Sequence, residues 1–343
     1  MLIDWVTARV PLDFFNADIL SRLRASGERV QRYNLATGDV CWDTQAWDSI
    51  RSDSHNLSFR VGSDALWMQG SPARVLGDGD AVFGTGAAVA MDLPGCVARM
   101  AAVLCAKLQV PVPPPCLWQV SRIDVTGNLL LKDLAQVRIA LRLLRDCEGG
   151  RYRVSQQAGD TVYWSHKSRL QAGKAYAKGP HLAYLVHRKD YNGRAYTENE
   201  IGLADRLLRL ELRLGAHFLR RIKKPFYEIT AYELIQIWEN YFNRMLGKNE
   251  ITDMNIEAQI QAVAPSAGQC KAAVSTWALI QAYGWEKAKT MQTRPTWYRN
   301  LKVLRSAGFG DADLAAGRVV ALRQPMLHCQ MVNSWAELIR LAA

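Results

Sequence analysis

The chain has 343 residues, 49% hydrophobic and 22% charged, with 43 Lys+Arg against 32 Asp+Glu and a formal net charge of +11. That length is about two average domains, and the composition supports a buried core while excluding disordered and collagen-like classes. The positive surplus points to a polyanionic partner, nucleic acid or an anionic membrane surface.

Seven cysteines stand at 41, 96, 105, 116, 147, 270 and 329, an odd number with no C-x-x-C pair. Neither a disulfide framework nor a structural zinc site is expected. Met1-Leu2-Ile3-Asp4-Trp5 lacks the basic-then-apolar order of a secretory signal, and charges such as Arg99 and Lys107 interrupt the longest apolar stretches. The expectation is a basic protein of a reducing cytosol, with no membrane partner.

In chain order, residues 2–10 and 56–61 read as strands. A loop rich in Gly and Asp follows over 70–84. Its backbone N–H groups and Arg74 would either cradle a phosphate or form a glycine turn beside the site. Residues 94–108 read as a helix with Pro94 in its first turn, ending before Pro111-Val112-Pro113-Pro114-Pro115. A strand over 118–126 and a basic amphipathic helix over 134–144 come next. Strand patterns return at 161–165, 174–178 and 207–214. After Pro225 the spacing becomes helical over 232–246, 271–283 and 295–307, so a domain boundary is expected near 225.

The charge is concentrated. Residues 151–224 hold sixteen Lys+Arg and six Asp+Glu, nearly the whole surplus of the chain. Tyr152, Tyr163, Trp164, Tyr176, Tyr184, Tyr191 and Tyr196 are interleaved with these bases, a composition suited to phosphates and stacked bases.

Three of the strands carry one polar face each, because residues two apart on a strand share a face. In Ser121-Arg122-Ile123-Asp124-Val125-Thr126 that face is Arg122, Asp124 and Thr126. In Lys174-Ala175-Tyr176-Ala177-Lys178 two lysines flank Tyr176. In Leu208-Arg209-Leu210-Glu211-Leu212-Arg213-Leu214 it is Arg209, Glu211 and Arg213 over a row of leucines. Singly, each is also what a half-exposed strand with cross-strand ion pairs looks like. Together they compose a phosphodiester chemistry. Two carboxylates, Asp124 and Glu211, suit a hard cation such as Mg²⁺ or Mn²⁺. Neighbouring Arg and Lys hold phosphate oxygens, and a tyrosine attacks phosphorus. An ordinary phenol, with a pKa of about 10, is scarcely ionised at neutral pH, and Lys174 and Lys178 are expected to favour its phenolate.

These segments, in this order, resemble the gene II replication initiators of filamentous bacteriophages, relatives of the HUH rolling-circle endonucleases. The resemblance runs through Gly70-Ser71-Pro72-Ala73-Arg74, Val82-Phe83-Gly84-Thr85 and the Arg122–Asp124 strand. It continues through Thr161-Val162-Tyr163-Trp164, Ser168-Arg169, Ala175-Tyr176-Ala177-Lys178 and the Arg209–Glu211–Arg213 strand, and ends at Pro295-Thr296-Trp297-Tyr298-Arg299 and Ala307-Gly308-Phe309. It implies an α+β fold, with an antiparallel-sheet, HUH-like catalytic domain over residues 1–225 and a helical DNA-binding domain over 226–343. It also implies Tyr176 as nucleophile with Lys178 and Lys174 beside it, and Asp124 and Glu211 as metal ligands. The family's acid after the Y-x-K motif is here His181, which leaves the third ligand to His181, His187 or another residue. Arg74, Arg122, Arg169, Arg209 and Arg213 are the expected DNA contacts around the site.

In the last helix Trp297, Leu301 and Leu304 fall at inward spacing, while Tyr298, Lys302 and Arg305 share a second face with Arg294 and Arg299 nearby. Thr293 is placed to cap it. The functional reading is a helix–turn–helix laid on duplex DNA, and an amphipathic surface helix has the same periodicity. The activity implied is that of a phage initiator in the bacterial host's cytoplasm. It nicks the origin of double-stranded replicative-form DNA through a 5′-phosphotyrosine, starts rolling-circle replication and rejoins the displaced strand, with host helicase and host DNA polymerase as partners. A non-catalytic DNA-binding repressor and a single-stranded-RNA binder are the competing classes, and neither needs Asp124, Tyr176 and Glu211 on one face.

Overall fold

The computed structural model describes the chain except residues 26–28, 53–54, 77–79, 146–153, 159, 190, 192, 247–255, 311–313, 315–329 and 343. In chain order the elements are β1 (Leu2–Pro11), α1 (Ala17–Ala25), β2 (Arg29–Tyr33), β3 (Val40–Gln45), β4 (Asp48–Ser52), β5 (His55–Val61) and β6 (Ala65–Gly70). Then come α2 (Pro72–Leu76), α3 (Leu93–Leu108), β7 (Gln119–Leu130), α4 (Leu134–Arg145), β8 (Val154–Ala158), β9 (Thr161–Trp164) and β10 (Gln171–Ala177). They are followed by α5 (Lys178–Val186), α6 (Glu198–Ala204), β11 (Leu207–Gly215), α7 (Ala216–Ile222) and α8 (Ala231–Leu246). The rest are α9 (Ile256–Val263), α10 (Ala267–Tyr283), α11 (Trp285–Thr290), α12 (Arg294–Ser306), β12 (Met331–Val332) and α13 (Trp335–Ala342).

The main sheet is antiparallel in the order β4-β5-β6-β1-β7-β11-β10-β9-β8, with β12 added to β7; β2 and β3 form a separate ribbon. The α+β fold expected from the sequence is the fold observed. The centre is β7, whose Ile123, Val125 and Leu129 enter the core while Arg122, Asp124, Thr126 and Asn128 take the other face. On the apolar face α3 contributes Cys96, Val97, Met100 and Leu104, with an Asp92 side-chain cap on Gly95 N–H and a left-handed Gln109 closing it. On the same face α8 lies close to the sheet because glycine paves its track. A Cβ on Gly127 would come within 2.9 Å of the Trp238 ring, and one on Gly173 within 2.7 Å of Tyr241. Trp238 Nε1 is thereby able to donate to Leu210 O at 3.2 Å.

Three expectations are corrected. Leu234, Trp238 and Phe242 of α8 belong to the core of the sheet, so the cores divide between α8 and α9 and not at residue 225. The second core is built from α9 to α12 around Trp277, Trp285, Trp297 and Leu301. Nor does the chain stay in that helical part. β12 returns to pair with β7, and α13 packs Leu338 in a third cluster with Phe83, Leu182 and Leu207. Finally, the 70–84 segment opens with the short helix α2, since Pro72 suits a helix's first turn; residues 77–79 of that loop lie outside the described residues.

Candidate active site

The polar face of β7, β11 and β10 is assembled by cross-strand register. Glu211 lies opposite Thr126 on one side and Lys174 on the other, while Tyr176 pairs with Arg209 and Lys174 with Tyr163. Asp124, Glu211 and Tyr176 are thus brought to one face. A residue that periodicity missed joins them. Ile3 pairs with Val125 and Trp5 with Asp124, so Asp4 is the extra residue of a β-bulge. The bulge re-aims the strand. Ile3 and Val6, three apart, both enter the core, and Asp4 and Trp5 take the site face. The only trace of this in the sequence is the break in alternation across Ile3-Asp4-Trp5-Val6.

Tyr176 is 3% exposed and its hydroxyl donates to Glu211 Oε1 at 2.6 Å. Lys174 Nζ lies 3.4 Å from the other Glu211 oxygen and 4.0 Å from the centre of the Tyr176 ring. Arg122 forks onto Asp124, Nε to Oδ1 at 2.8 Å and Nη2 to Oδ2 at 2.5 Å. The His181 ring meets Tyr176 edge-on at 4.9 Å. Lys178 is not on the strand with Tyr176. β10 stops at Ala177, because Pro180 has no N–H for a ladder and fits a helix's first turn, so Lys178 opens α5. Its amine is nonetheless 5.9 Å from the Tyr176 ring, fully buried.

Arg209, expected to meet DNA, is an interior residue at 1% exposure. Its Nε donates to Asn128 Oδ1 at 2.8 Å, and its Nη atoms donate to Ala81 O and Val82 O. The loop supplying those carbonyls is folded on Asp80, which accepts from Val82 N, Phe83 N, the Tyr196 hydroxyl and Trp335 Nε1. Of the two readings of this loop, a phosphate cradle or a glycine turn beside the site, the described 80–83 part is a turn whose carbonyls hold an arginine. Arg213 likewise turns back, donating to His166 O and Ser168 O. Arg74 on α2 is half-buried and acts on Asp4, Lys178 and His181 through its charge, whereas Arg169 is exposed.

The electrostatics reverse one expectation. Burial, then the Glu211 carboxylate, push the Tyr176 phenol well above its ordinary value, only partly offset by Arg209. The lysines do not prevail. Burial also pushes the Lys178 amine well below its usual value, helped by Arg209 and opposed by Asp4. Asp124 is pushed up to about 6 by burial, against the pull of Arg122 and with the repulsion of Glu211 and Asp4 added. Its partner Arg122 is also raised: burial works against its charge but the Asp124 carboxylate outweighs it. Burial acts to raise Asp4, yet Arg209, Lys178, Arg74 and Lys174 together hold it below the usual carboxylate range. His181 is held neutral, with its pKa lowered to about 2 by burial and then by Lys178, Lys174, Arg209 and Arg74.

For a hard cation the donor chemistry fits. Three carboxylates act on one another here, and Thr126 Oγ1, opposite Glu211, is buried without a hydrogen-bond partner. As they stand the acids are occupied by Arg122, Lys174 and Tyr176, and among the described residues no three of His, Cys, Asp and Glu converge as a metal site. His181 stands among four cations, and His187 Nδ1 is 2.6 Å from Ala183 O at the end of α5.

Arg294, Tyr298, Arg299, Lys302 and Arg305 are not part of this site. They lie on α12 in the second core, where Trp297, Leu301 and Leu304 point inward and Tyr298, Arg299 and Lys302 outward. A three-residue turn joins α11 to α12, with Trp285 against Trp297 at 5.0 Å. Thr293 stands at the N-cap, but its hydroxyl donates to Thr296 Oγ1 and caps no backbone N–H.

Comparison with known proteins places the chain in the class of phage replication-associated proteins. The family described as the N-terminal part of the gene II replication-associated protein matches residues 2–243, and the chain belongs to it, as its motifs led one to expect. The match ends within α8, where the core of the sheet ends. Among solved structures, a rolling circle replication initiator protein from Geobacillus stearothermophilus is similar over 74% of this chain and 88% of its own, at 11% identity and a TM-score of 0.34. No curated protein matches the chain significantly. No helix of the described residues is long and apolar enough to cross a membrane.

Proposed function

We propose that this replication protein is an initiator that nicks one strand of an origin and keeps the broken bond as a tyrosine ester. The observation that carries the reading is the Tyr176 hydroxyl donating to Glu211 within a ring of cations. A phenol this strongly held in its neutral form needs a base at the moment of attack, and Glu211 Oε1 at 2.6 Å is in place to be one. Tyr176 Oη forms a bond to phosphorus, Glu211 takes the phenolic proton, and the bond from phosphorus to the 3′ oxygen breaks. The departing oxygen takes a proton from solvent. Lys174 and Arg122 are placed to hold the phosphoryl oxygens. Rejoining is the reverse: a 3′ hydroxyl attacks the phosphotyrosine and Glu211 returns the proton.

Asp124 and Glu211 would hold Mg²⁺ or Mn²⁺, with Asp4 in preference to His181 as the third group, because Asp4 is an ionised oxygen donor and His181 is ringed by cations. Such a cation polarises the phosphodiester when bound. The tyrosine, Glu211 and the lysine act through their own positions as described. Lys178 and Arg209 are positioning residues for Asp4 and the 80–83 loop. The surface of α12, with Arg294, Tyr298, Arg299, Lys302 and Arg305, is the proposed duplex contact. Origin DNA, host helicase and host polymerase in a bacterial cytoplasm are the partners this activity requires.

A second reading of the nucleophile has its own support. Tyr163 shares the face with Lys174, whose amine is 5.7 Å from its ring, and it is half-buried where Tyr176 is buried. One experiment decides between them. The full chain is incubated with Mn²⁺ and supercoiled phage-origin plasmid, and the adduct is mapped by mass spectrometry. A 5′-phosphate on Tyr176, lost in Tyr176→Phe, supports the proposal. An adduct on Tyr163 keeps the reaction class and moves the nucleophile, and binding without nicking or adduct in any metal supports the repressor.

A further inference from the structure

Away from Tyr176, the same sheet face carries a ladder of arginine and tryptophan that shares only Arg122 with the nicking chemistry. Trp67 on β6 lies opposite Arg9 on β1 and Arg60 on β5. Both guanidinium carbons are 5.3 Å from its ring centre, and Arg60 is also 4.8 Å from the ring of Trp47. Nearer the site, Arg122 lies 5.4 Å from Trp5. These rings are half-buried or exposed, and Trp47 is 38% exposed. Arg122 is forked onto Asp124, and the match to acids weakens outward along the ladder. Arg9 pairs with Asp64 at 3.3 Å, while Arg60 makes no ion pair among the described residues and its buried Nε has no hydrogen-bond partner.

The ladder ends at a cavity of about 480 Å³ between the start of β7, α7 and the turn at Phe226, with Arg9 and Trp67 forming one wall. Leu219 and Phe226 give it an apolar floor, and Gln119 and Arg220 stand at its rim. Gln119 spends its oxygen on Arg9 Nε and Nη2, at 3.1 and 3.0 Å, which leaves its amide N–H groups for another acceptor. Apolar walls with a few directed polar groups, in this size range, suit a flat heterocycle.

We infer that this face is a track for single-stranded DNA, with bases stacking on Trp5, Trp67 and Trp47 and one base entering the cavity beside Arg9. The inference rests on the proposed nicking function for its choice of strand. Its physics is independent of the chemistry: flat rings for bases alternate with cations for phosphates. From β5 to β10 the sheet spans five strand spacings, about 24 Å, so several nucleotides fit between the far tryptophans and Tyr176. The track explains why large rings stay on this face beside a guanidinium with no ion pair among the described residues.

The test uses the full-length Tyr176→Phe protein, so that no cleavage occurs, with fluorescent oligo(dT) and a duplex of equal length. Trp67→Ala should weaken oligo(dT) binding by about tenfold or more, Trp67→Phe should restore most of it, and duplex affinity should change little. Arg220→Ala, on an exposed side chain that leaves folding intact, should weaken oligo(dT) binding several-fold and lower its salt dependence. Unchanged oligo(dT) affinity in both variants, an equal loss for duplex, or tighter binding of oligo(rU) than of oligo(dT) would overturn the track. If the parent chain forms no tyrosine adduct but Trp67→Ala still loses oligo(dT), the track stands and the nicking proposal fails. An unchanged Trp67→Ala in a protein that does form the adduct has the opposite meaning.

Discussion

Replacing Arg209 by Met separates an interior role from a DNA contact. In the folded protein its guanidinium serves three acceptors, Asn128 Oδ1, Ala81 O and Val82 O, and it is the largest favourable influence on the Asp4 carboxylate. Methionine fills much of the volume but donates nothing. Each buried acceptor left without a donor costs about 1–3 kcal/mol, and buried charges that lose a partner typically cost about 3–5 kcal/mol. Some of the loss is recovered as the 80–83 loop relaxes, so about 4 kcal/mol is expected overall. At roughly 2–4 °C per kcal/mol for a chain of this class, the melting temperature should fall by roughly 10 °C. Arg209→Lys should not rescue it, since one ammonium cannot reach three acceptors held in a planar fork. Urea unfolding followed by far-UV circular dichroism reads the loss, and oligonucleotide binding under folded conditions reads the alternative. A loss under about 1 kcal/mol together with tenfold weaker DNA binding would refute the interior assignment.

Asp124 carries a pH signature. Its carboxyl is raised from 3.8 to about 6 in the folded chain, so it favours folding at pH below 3.8 and that contribution is lost as pH rises through 6. Asp124→Asn should remove up to about 3 kcal/mol of this slope between pH 4 and 7 in paired urea titrations; parallel curves for variant and parent would contradict it. His181 works the other way, its pKa lowered to about 2, so the stability it provides is lost as pH falls below 6.5. His181→Gln should therefore soften acid unfolding between pH 6 and 4, and unaltered acid midpoints would show that the ring is not held neutral. Gly127→Val should drive a methyl into Trp238 and destabilise the sheet by several kcal/mol, measurable as a lower urea midpoint, while Gly38→Ala, with nothing within 4 Å, should cost about 1 kcal/mol for its positive φ alone. Alanine at Arg299, Lys302 and Arg305 together should lower the salt dependence of duplex binding by about one unit of slope per lost phosphate contact. Unchanged affinity would make α12 a plain surface helix.

Much of the molecule is legible in the sequence because its signals are local. Alternation along 118–126 and 207–214 marks β7 and β11, Pro94 and Pro295 mark the first turns of α3 and α12, and i, i+4, i+7 spacing puts Trp297, Leu301 and Leu304 inward. The same local pattern names Asp124, Tyr176 and Glu211 as members of one polar face, and the ordered motifs name the family.

What alternation cannot show is which polar residues on that face will be covered. Arg209 and Arg213 have the same spacing as any exposed arginine, but carbonyls distant in sequence, at 80–83 and 166–168, turn the first into an interior strut and tie down the half-buried second. Asp4 reaches the site through a bulge, a property of how β1 pairs with β7 and not of β1 alone. Burial and the closeness of Glu211 raise the Tyr176 phenol where two neighbouring lysines alone would have lowered it. The return of β12 and α13 to the sheet likewise depends on a free edge on β7 beyond the end of β1. Secondary structure and face follow from side-chain period along the chain. Charge state, partner and exposure follow from cross-strand register and burial, which exist only once distant segments have packed together.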